Sequence, residues 1–258
     1  MGLTNLSDVL RSYGQATVFA EAYGEGSVQV VWLHGWARRG SDFAGAAQEL
    51  ARRGVASVAL DLPGFGASPA PATVGGARHY ADLLRPALDE IASEPLTLVG
   101  HSFGGTVATV VAAREPERVR SLVLTGAPVL RRPSRATSPL AYHAQRWLAA
   151  RGLLSQARLE AARQRYGSTD YRRASGVMRE VLVASVNESY EAELSALRAP
   201  VALLWGEDDT EVPVEVATRA AVLLVAPHTL RVLPGVGHLV PTEAPSALAE
   251  VVAGALGR

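Results

Sequence analysis

The chain has 258 residues, of which 48% are hydrophobic and 19% charged, a composition typical of one large globular domain or a domain with an insertion. Its 25 basic side chains are all arginine and equal the 25 acidic ones in number, so no overall charge favours a nucleic acid or a membrane surface. The sequence lacks lysine, which excludes Schiff-base chemistry, and it lacks cysteine, which excludes disulfides, thiolate nucleophiles and thiolate metal sites.

The start of the chain does not have the pattern of a secretory signal. Polar and charged residues, Asn5, Asp8 and Arg11, interrupt the segment Met1–Tyr13, which has no apolar core. The longest apolar stretches, such as Thr106–Ala113, are far shorter than a bilayer requires. We therefore expect a soluble cytoplasmic protein without a membrane span.

Short runs rich in valine and leucine alternate with helical patterns along most of the chain. The runs predict strands at Val28–Leu33, Val55–Leu60, Leu96–Val99, Leu122–Leu124, Val201–Trp205 and Thr229–Leu233. The intervening patterns predict helices at Phe43–Arg52, Ala77–Ala92, Phe103–Ala113, Val214–Val225 and Pro245–Ala255. Continuous apolar strands are buried on both faces of a helix-covered parallel sheet. The order therefore predicts an α/β fold with a doubly wound, mostly parallel sheet.

The alternation breaks once, between residues 128 and 194. This stretch has helical patterning and no strand candidate, and Arg198-Ala199-Pro200 then leads into the next strand. We predict a core made of residues 1–127 and 195–258, with a helical lid inserted at 128–194. Open α/β sheets bind ligands at the carboxyl ends of their strands, so a lid there would cover the site.

A nucleophile motif, Gly100-His101-Ser102-Phe103-Gly104, follows the predicted strand Leu96–Val99 and opens the next predicted helix. Such a sharp turn forces its middle residue into a strained backbone conformation, and the flanking glycines leave room for it. The turn would present the Ser102 hydroxyl at the edge of the sheet. The amide of Phe103 would lie at a helix N-terminus, where developing negative charge is stabilised.

A second motif, His34-Gly35-Trp36, follows the predicted strand Val28–Leu33. A loop at this place can supply another backbone N–H to an oxyanion, so we predict the amides of Trp36 and Phe103 as its donors. Two of the six histidines, His34 and His101, lie inside these motifs, and we expect them to support the turns.

The acid and base of a triad should follow the serine in the order Asp, His. The predicted strand Val201–Trp205 ends in a carboxylate cluster, which contains Glu207, Asp208, Asp209 and Glu211. The predicted strand Thr229–Leu233 ends in a glycine-rich loop that carries His238. Both loops come after strands, where active-site loops of such a sheet are expected.

With these motifs, the chain resembles an α/β hydrolase of the small esterase type over nearly its whole length. The matching residues are His34-Gly35-Trp36, Asp61-Leu62-Pro63-Gly64-Phe65-Gly66, the Ser102 turn, Asp209 with Val212-Pro213, and Gly235-Val236-Gly237-His238. The first two motifs are most similar to carrier-protein methyl ester esterases of biotin synthesis, and they are also similar to C–C bond hydrolases of aromatic degradation.

The resemblance implies a catalytic triad of Ser102, Asp209 and His238, since the family's acid stands three residues before a valine-proline pair. It implies no metal or organic cofactor, and it gives Asp61 a role at a strand–loop junction. Relatives with an aspartate nucleophile are set aside, because this position is serine. Three activities fit: hydrolysis of a small-molecule carboxylic ester, the same triad acting on a C–C bond, a lactone or in perhydrolysis, and ligand binding without catalysis.

The predicted lid is strongly basic. From Arg131 to Arg179 the chain has eleven arginines against two acids, a local charge of +9. This charge fits recruitment of an acidic carrier protein or an anionic substrate. Solvated helix faces in an arginine-rich protein are the simpler explanation, and the sequence leaves both interpretations open.

Overall fold

The computed structural model describes residues 10–14, 18–130, 151, 155 and 169–258. They form one eight-stranded sheet in the order β1-β2-β4-β3-β5-β6-β7-β8. The strands are β1 (Leu10–Tyr13), β2 (Val18–Tyr23), β3 (Val28–Leu33), β4 (Ala56–Asp61), β5 (Leu96–His101), β6 (Val119–Thr125), β7 (Val201–Gly206) and β8 (His228–Leu233). The pairs β1–β2 and β2–β4 are antiparallel and the other neighbours are parallel, so the predicted fold class is confirmed.

Helices cover both faces of the sheet. In chain order they are α1 (Ala44–Arg52), α2 (Ala77–Ile91), α3 (Phe103–Arg114), α4 (Thr169–Arg173), α5 (Gly176–Asn187), α6 (Glu191–Ala196), α7 (Val214–Leu223), α8 (Val240–Glu243) and α9 (Pro245–Ala255). One core lies under α2, α3 and α7, and a second lies under α1 and α9. The sheet is therefore buried between two helical layers, as a doubly wound fold requires.

All six predicted strands and five predicted helices form within a few residues of their expected bounds. The two strands that the sequence pattern did not reveal are β1 and β2, which pair antiparallel at one edge of the sheet. Along β2 buried and half-buried residues are mixed, so this strand lacks the continuous apolar run of the others. At the opposite edge, His228–Val232 of β8 is exposed, and the expectation of burial on both faces is wrong for this strand.

The chain between β6 and β7 contains α4, α5 and α6, and no strand occurs among its described residues. Met178 of α5 lies against Gly64 and also contacts the hydroxyl of Tyr80, with its sulfur 3.9 Å away. The amide of Tyr190 donates a hydrogen bond to the carbonyl of Val129 over 3.2 Å. The predicted lid, 128–194, is described only in part, because 131–150, 152–154 and 156–168 lie outside the described residues.

The segment between β6 and β7 is also tied to the core by charge. The guanidinium of Arg78 on α2 forms an ion pair with Glu193 of α6 over 2.6 Å and lies over the ring of Tyr190. These contacts fix the end of the segment where the chain returns to the sheet. Within the described ranges, no helix combines the length and apolar character needed to cross a membrane.

Candidate active site

Ser102 lies in the turn between β5 and α3, and its backbone angles are φ 51° and ψ −119°. A residue with a Cβ adopts this conformation at a cost of about 1–3 kcal/mol, and such strain is concentrated at functional sites. Glycines make the turn possible on both sides. A Cβ on Gly100 would lie 2.5 Å from the Cα of Gly105, and one on Gly104 would clash with the carbonyl of Leu33. The predicted strand–turn–helix context of Ser102 is therefore present.

The loop after β3 packs directly on this turn. The amide of Gly104 donates to the carbonyl of His34 over 3.0 Å, and a Cβ on Gly35 would lie 3.1 Å from the Cβ of Ser102. The amides of Trp36 and Phe103 flank this contact, and neither donates to an acceptor among the residues that the structure describes. Backbone N–H groups without an internal acceptor are the kind of donor that an oxyanion requires.

His34 has a structural role in the loop after β3. Its Nε2 accepts the amide N–H of Leu62 over 2.9 Å, so Nδ1 carries the proton and donates to the carbonyl of Gly35 over 2.7 Å. Burial lowers the pKa of His34 to about 4, which keeps the ring neutral. Neutral His34 therefore joins the loop after β3 to the loop after β4.

Asp61 fixes the loop that follows β4. One carboxylate oxygen accepts the amide of Gly40 and the other accepts the amide of Ala67, both over 2.8 Å. A Cβ on Gly66 would overlap this carboxylate, so the loop needs glycine there. Asp61 therefore occupies the strand–loop junction that the resemblance implied.

Asp209 and His238 are joined across the ends of two neighbouring strands. The loop after β7 turns back so that Asp209 is only 4% exposed, and its Oδ2 accepts the Nδ1–H of His238 over 2.8 Å. Its Oδ1 accepts the amides of Glu211 and Val212 over 2.9 and 2.7 Å. Three hydrogen bonds thus hold the carboxylate, whereas the neighbouring Asp208 is exposed. The ring of His238 is left with Nε2 as an acceptor.

Two glycines leave space for this pair. A Cβ on Gly126, at φ +53°, would lie 2.8 Å from Cε1 of His238. A Cβ on Gly206 would overlap the carbonyl of Gly237. Gly126 belongs to none of the motifs in the sequence, because its approach to His238 depends on how distant segments meet. No local signal in the sequence reveals this requirement.

His101 connects the serine turn to His238. Its ring centroid lies 4.8 Å from that of His238, and its Nδ1 lies 2.8 Å from the hydroxyl oxygen of Thr125. Burial, together with the nearby His238, lowers the pKa of His101 to about 3. The ring therefore packs against His238 in its neutral form at neutral pH. The structure thus brings the neighbour of Ser102 against the histidine of the Asp209–His238 pair.

Aromatic rings pack together next to the Ser102 turn. Trp36 meets Phe65 edge-on at 5.0 Å between ring centroids and Phe103 at 5.7 Å. Tyr80 packs against the other side of Phe103 at 4.9 Å. Edge-to-face contacts of this kind are favourable and fix ring orientation. The loop after β3, the loop after β4 and the start of α3 therefore form one apolar wall.

The chain matches the model of the alpha/beta hydrolase fold over residues 29–245. It belongs to the α/β hydrolase fold family, and the resemblance predicted from the sequence is confirmed. Lipase LipV of Mycobacterium tuberculosis is 31% identical to it over 263 residues, which cover 92% of this chain and 97% of that protein. The esterase EaEST of Exiguobacterium antarcticum shares the fold with a TM-score of 0.74 at 20% identity, over 98% of this chain and 100% of that one.

Part of the chain is also similar to a pimeloyl-[acyl-carrier protein] methyl ester esterase of Chromobacterium violaceum. The two are 38% identical over 130 residues, or 50% of this chain. The matched segment spans 44% of the length of that esterase.

Proposed function

We propose that this protein is a serine hydrolase that cleaves a carboxylic ester through an acyl-enzyme formed on Ser102. The observation that carries the proposal is the buried Asp209, bonded at 2.8 Å to His238. The ring of His238 in turn packs against that of His101, the residue before the strained Ser102, with 4.8 Å between the ring centroids. Nucleophile, orienting acid and base follow one another in the chain order of this family.

The mechanism begins with transfer of the Ser102 hydroxyl proton to Nε2 of His238 as the serine oxygen attacks the ester carbonyl. Asp209 keeps the imidazole in the required tautomer and stabilises its cationic form. The amides of Trp36 and Phe103 donate to the oxyanion of the tetrahedral intermediate. The intermediate collapses, the C–O bond breaks, and the leaving alcohol takes the proton from Nε2.

Water completes the cycle. His238 removes a proton from a water molecule, whose oxygen attacks the acyl carbonyl bound to Ser102. The second tetrahedral intermediate releases the carboxylic acid, and the serine oxygen regains the proton from His238. Each turnover consumes one ester and one water and yields one acid and one alcohol.

We further propose that residues 128–194 act as a lid over this site. The contacts of Met178 with Gly64 and Tyr80 support it, because Gly64 precedes Phe65 of the aromatic wall. A lid at the carboxyl ends of the strands would exclude water and contact the acyl chain.

An acyl ester on an acidic carrier protein is the candidate substrate that the charge pattern favours. The local charge of +9 between Arg131 and Arg179 supports it, and so does the name of the esterase from Chromobacterium violaceum. In the described part of this segment, Arg172 and Arg173 are exposed. Positive surface charge of this kind would speed the encounter with an anionic partner.

A fluorophosphonate probe tests the proposal, because it reacts covalently with an activated serine. The probe should label the wild-type protein and fail to label Ser102→Ala, and turnover of p-nitrophenyl esters should fall by about 10⁶ in the variant. Esters of increasing chain length, measured beside a meta-cleavage diketone, would separate ester hydrolysis from C–C bond cleavage. Equal labelling of both proteins would exclude Ser102 as the nucleophile.

A further inference from the structure

A second carboxylate, that of Glu211, lies near Nε2 of His238, the nitrogen that takes the serine proton in the proposed reaction. Oε2 of Glu211 is 3.6 Å from Nε2 of His238, the nitrogen that is not bonded to Asp209. The Glu211 side chain is 68% exposed. The imidazole therefore has one buried carboxylate on Nδ1 and one solvent-facing carboxylate near Nε2.

The backbone of Glu211 is held by the triad acid itself. Its amide donates to Oδ1 of Asp209 over 2.9 Å, and the next amide, that of Val212, donates to the same oxygen. The carbonyl of Val212 accepts the indole N–H of Trp205 over 2.7 Å. Glu211 thus projects from a fixed point of the loop, and its position relative to His238 follows from the same bonds that orient the base.

The position of Glu211 relative to the substrate follows from the chemistry of the proposed reaction. In that reaction Nε2 delivers a proton to the oxygen of the departing alcohol. A group beside Nε2 therefore lies near the oxygen of the departing alcohol. At 3.6 Å the carboxylate is outside hydrogen-bonding distance of the ring but well within the range of charge interactions.

We propose that Glu211 sets the preference for the charge of the leaving alcohol, favouring esters of cationic alcohols and disfavouring those of anionic alcohols. This inference rests on the proposed function, since it assigns a leaving group to the Nε2 side of His238. When two unit charges lie about 4 Å apart in a water-exposed site, their interaction changes the affinity for the charged substrate by roughly fivefold. The neighbouring Glu207 and Glu215 line a cavity with Asp209, Pro213 and Val232, and neither is among the described carboxylates within 4 Å of the His238 ring.

The test compares two esters that have the same acyl chain and nearly the same shape. One is a choline ester and the other is the 3,3-dimethylbutyl ester, in which a carbon replaces the charged nitrogen. In the wild-type protein the choline ester should have the higher kcat/KM. In Glu211→Gln the ratio of the two kcat/KM values should fall by about fivefold. For an anionic leaving alcohol, the ester formed on the hydroxyl of 4-hydroxybutyrate, kcat/KM should rise by a similar factor. The wild-type ratio should also fall in 1 M salt.

Glu207→Gln is the matched control, because it removes the same charge from the same loop, and its ratio should equal the wild-type ratio. An unchanged ratio in Glu211→Gln, or an equal change in both variants, would overturn the inference while leaving the proposed function intact. If Ser102→Ala hydrolyses the neutral ester as fast as the wild type does, or the wild type hydrolyses neither ester, the proposed function fails and the inference fails with it.

Discussion

The amide of Gly104 donates a hydrogen bond to the carbonyl of His34 over 3.0 Å. This bond joins the start of α3 to the loop after β3, and it fixes the amides of Trp36 and Phe103 relative to each other. The contact is close because residue 104 has no side chain, and a Cβ there would meet the carbonyls of Leu33 and His34.

Gly104→Ala should therefore separate the two proposed oxyanion donors. We expect kcat to fall by about 10²–10³, as for the loss of one donor, and the midpoint of thermal unfolding to decrease. Gly254→Ala in α9 is the control, because a Cβ there would meet no atom within 4 Å. It should keep full activity and gain about 0.5–1 kcal/mol in the free energy of unfolding. An active Gly104→Ala protein would show that the contact does not control the donors.

The acid of the triad can be identified by two amide substitutions. Asp209→Asn should lower kcat by about 10⁴ with the fold intact, since the orientation of His238 depends on that carboxylate. Asp208→Asn should change kcat by less than about tenfold, because Asp208 is exposed and its neighbour holds the ring. Steady-state kinetics at neutral pH, with circular dichroism of both variants, would decide. A larger loss in Asp208→Asn would contradict the assignment.

Buried histidines should make the protein less stable in acid. The pKa of His34 is lowered to about 4 and that of His101 to about 3, from an ordinary value of 6.5. Between pH 6.5 and 4 the unfolded chain binds protons at both positions and the folded protein does not, so stability falls as the pH falls. Each ring contributes a slope of up to about 1.4 kcal/mol per pH unit.

Urea unfolding at a series of pH values would measure that slope. His101→Asn removes one of the two titrating rings, so the slope between pH 6 and 4.5 should decrease by up to about 1.4 kcal/mol per pH unit. The variant will also be less stable at every pH, and for that reason the slope, and not the stability at one pH, is the informative quantity. A slope identical to that of the wild type would contradict the role of His101.

The salt dependence of kcat/KM should distinguish a substrate on an anionic carrier protein from a small neutral substrate. If the arginine-rich segment recruits an acidic carrier protein, kcat/KM for an ester on that carrier should fall about tenfold between 50 and 500 mM salt. The value for a neutral p-nitrophenyl ester should stay nearly constant, because no long-range charge interaction guides it. If the arginines are only solvated surface residues of the helices, kcat/KM should depend on salt in the same way for both substrates.

The sequence predicted the parts of the fold that depend on local patterns. Continuous apolar runs revealed the parallel strands, and the glycines around Ser102 revealed the turn between β5 and α3. The strands β1 and β2 were missed because their half-buried pattern is weak and their pairing is antiparallel at an edge. The exposed edge strand β8 was still found, because its sequence is rich in leucine and valine.

Features that arise where distant segments of the chain meet could not be predicted from the sequence pattern. The need for glycine at position 126 comes from the ring of His238, and the proximity of Glu211 to Nε2 comes from the turn that Asp209 makes. Neither has a periodic or motif signal. The family pattern did indicate Asp209 over Asp208, because the acid must lie at a fixed number of residues before Val212 to accept its amide.

The hydrogen bond between the amide of Tyr190 and the carbonyl of Val129 brings together the two ends of the segment inserted between β6 and β7. Because this bond holds the two ends side by side, the pairing of the strands depends little on the length of the chain between them. Closing a loop costs only about 0.6 kcal/mol more for each doubling of its length. A segment of different length that keeps the core contact of Val181 can therefore be inserted between these two residues without altering the pairing of β6 with β7. If residues 128–194 form the proposed lid, substrate preference could change by exchange of this segment, while the strand ends that carry Ser102, Asp209 and His238 stay unchanged.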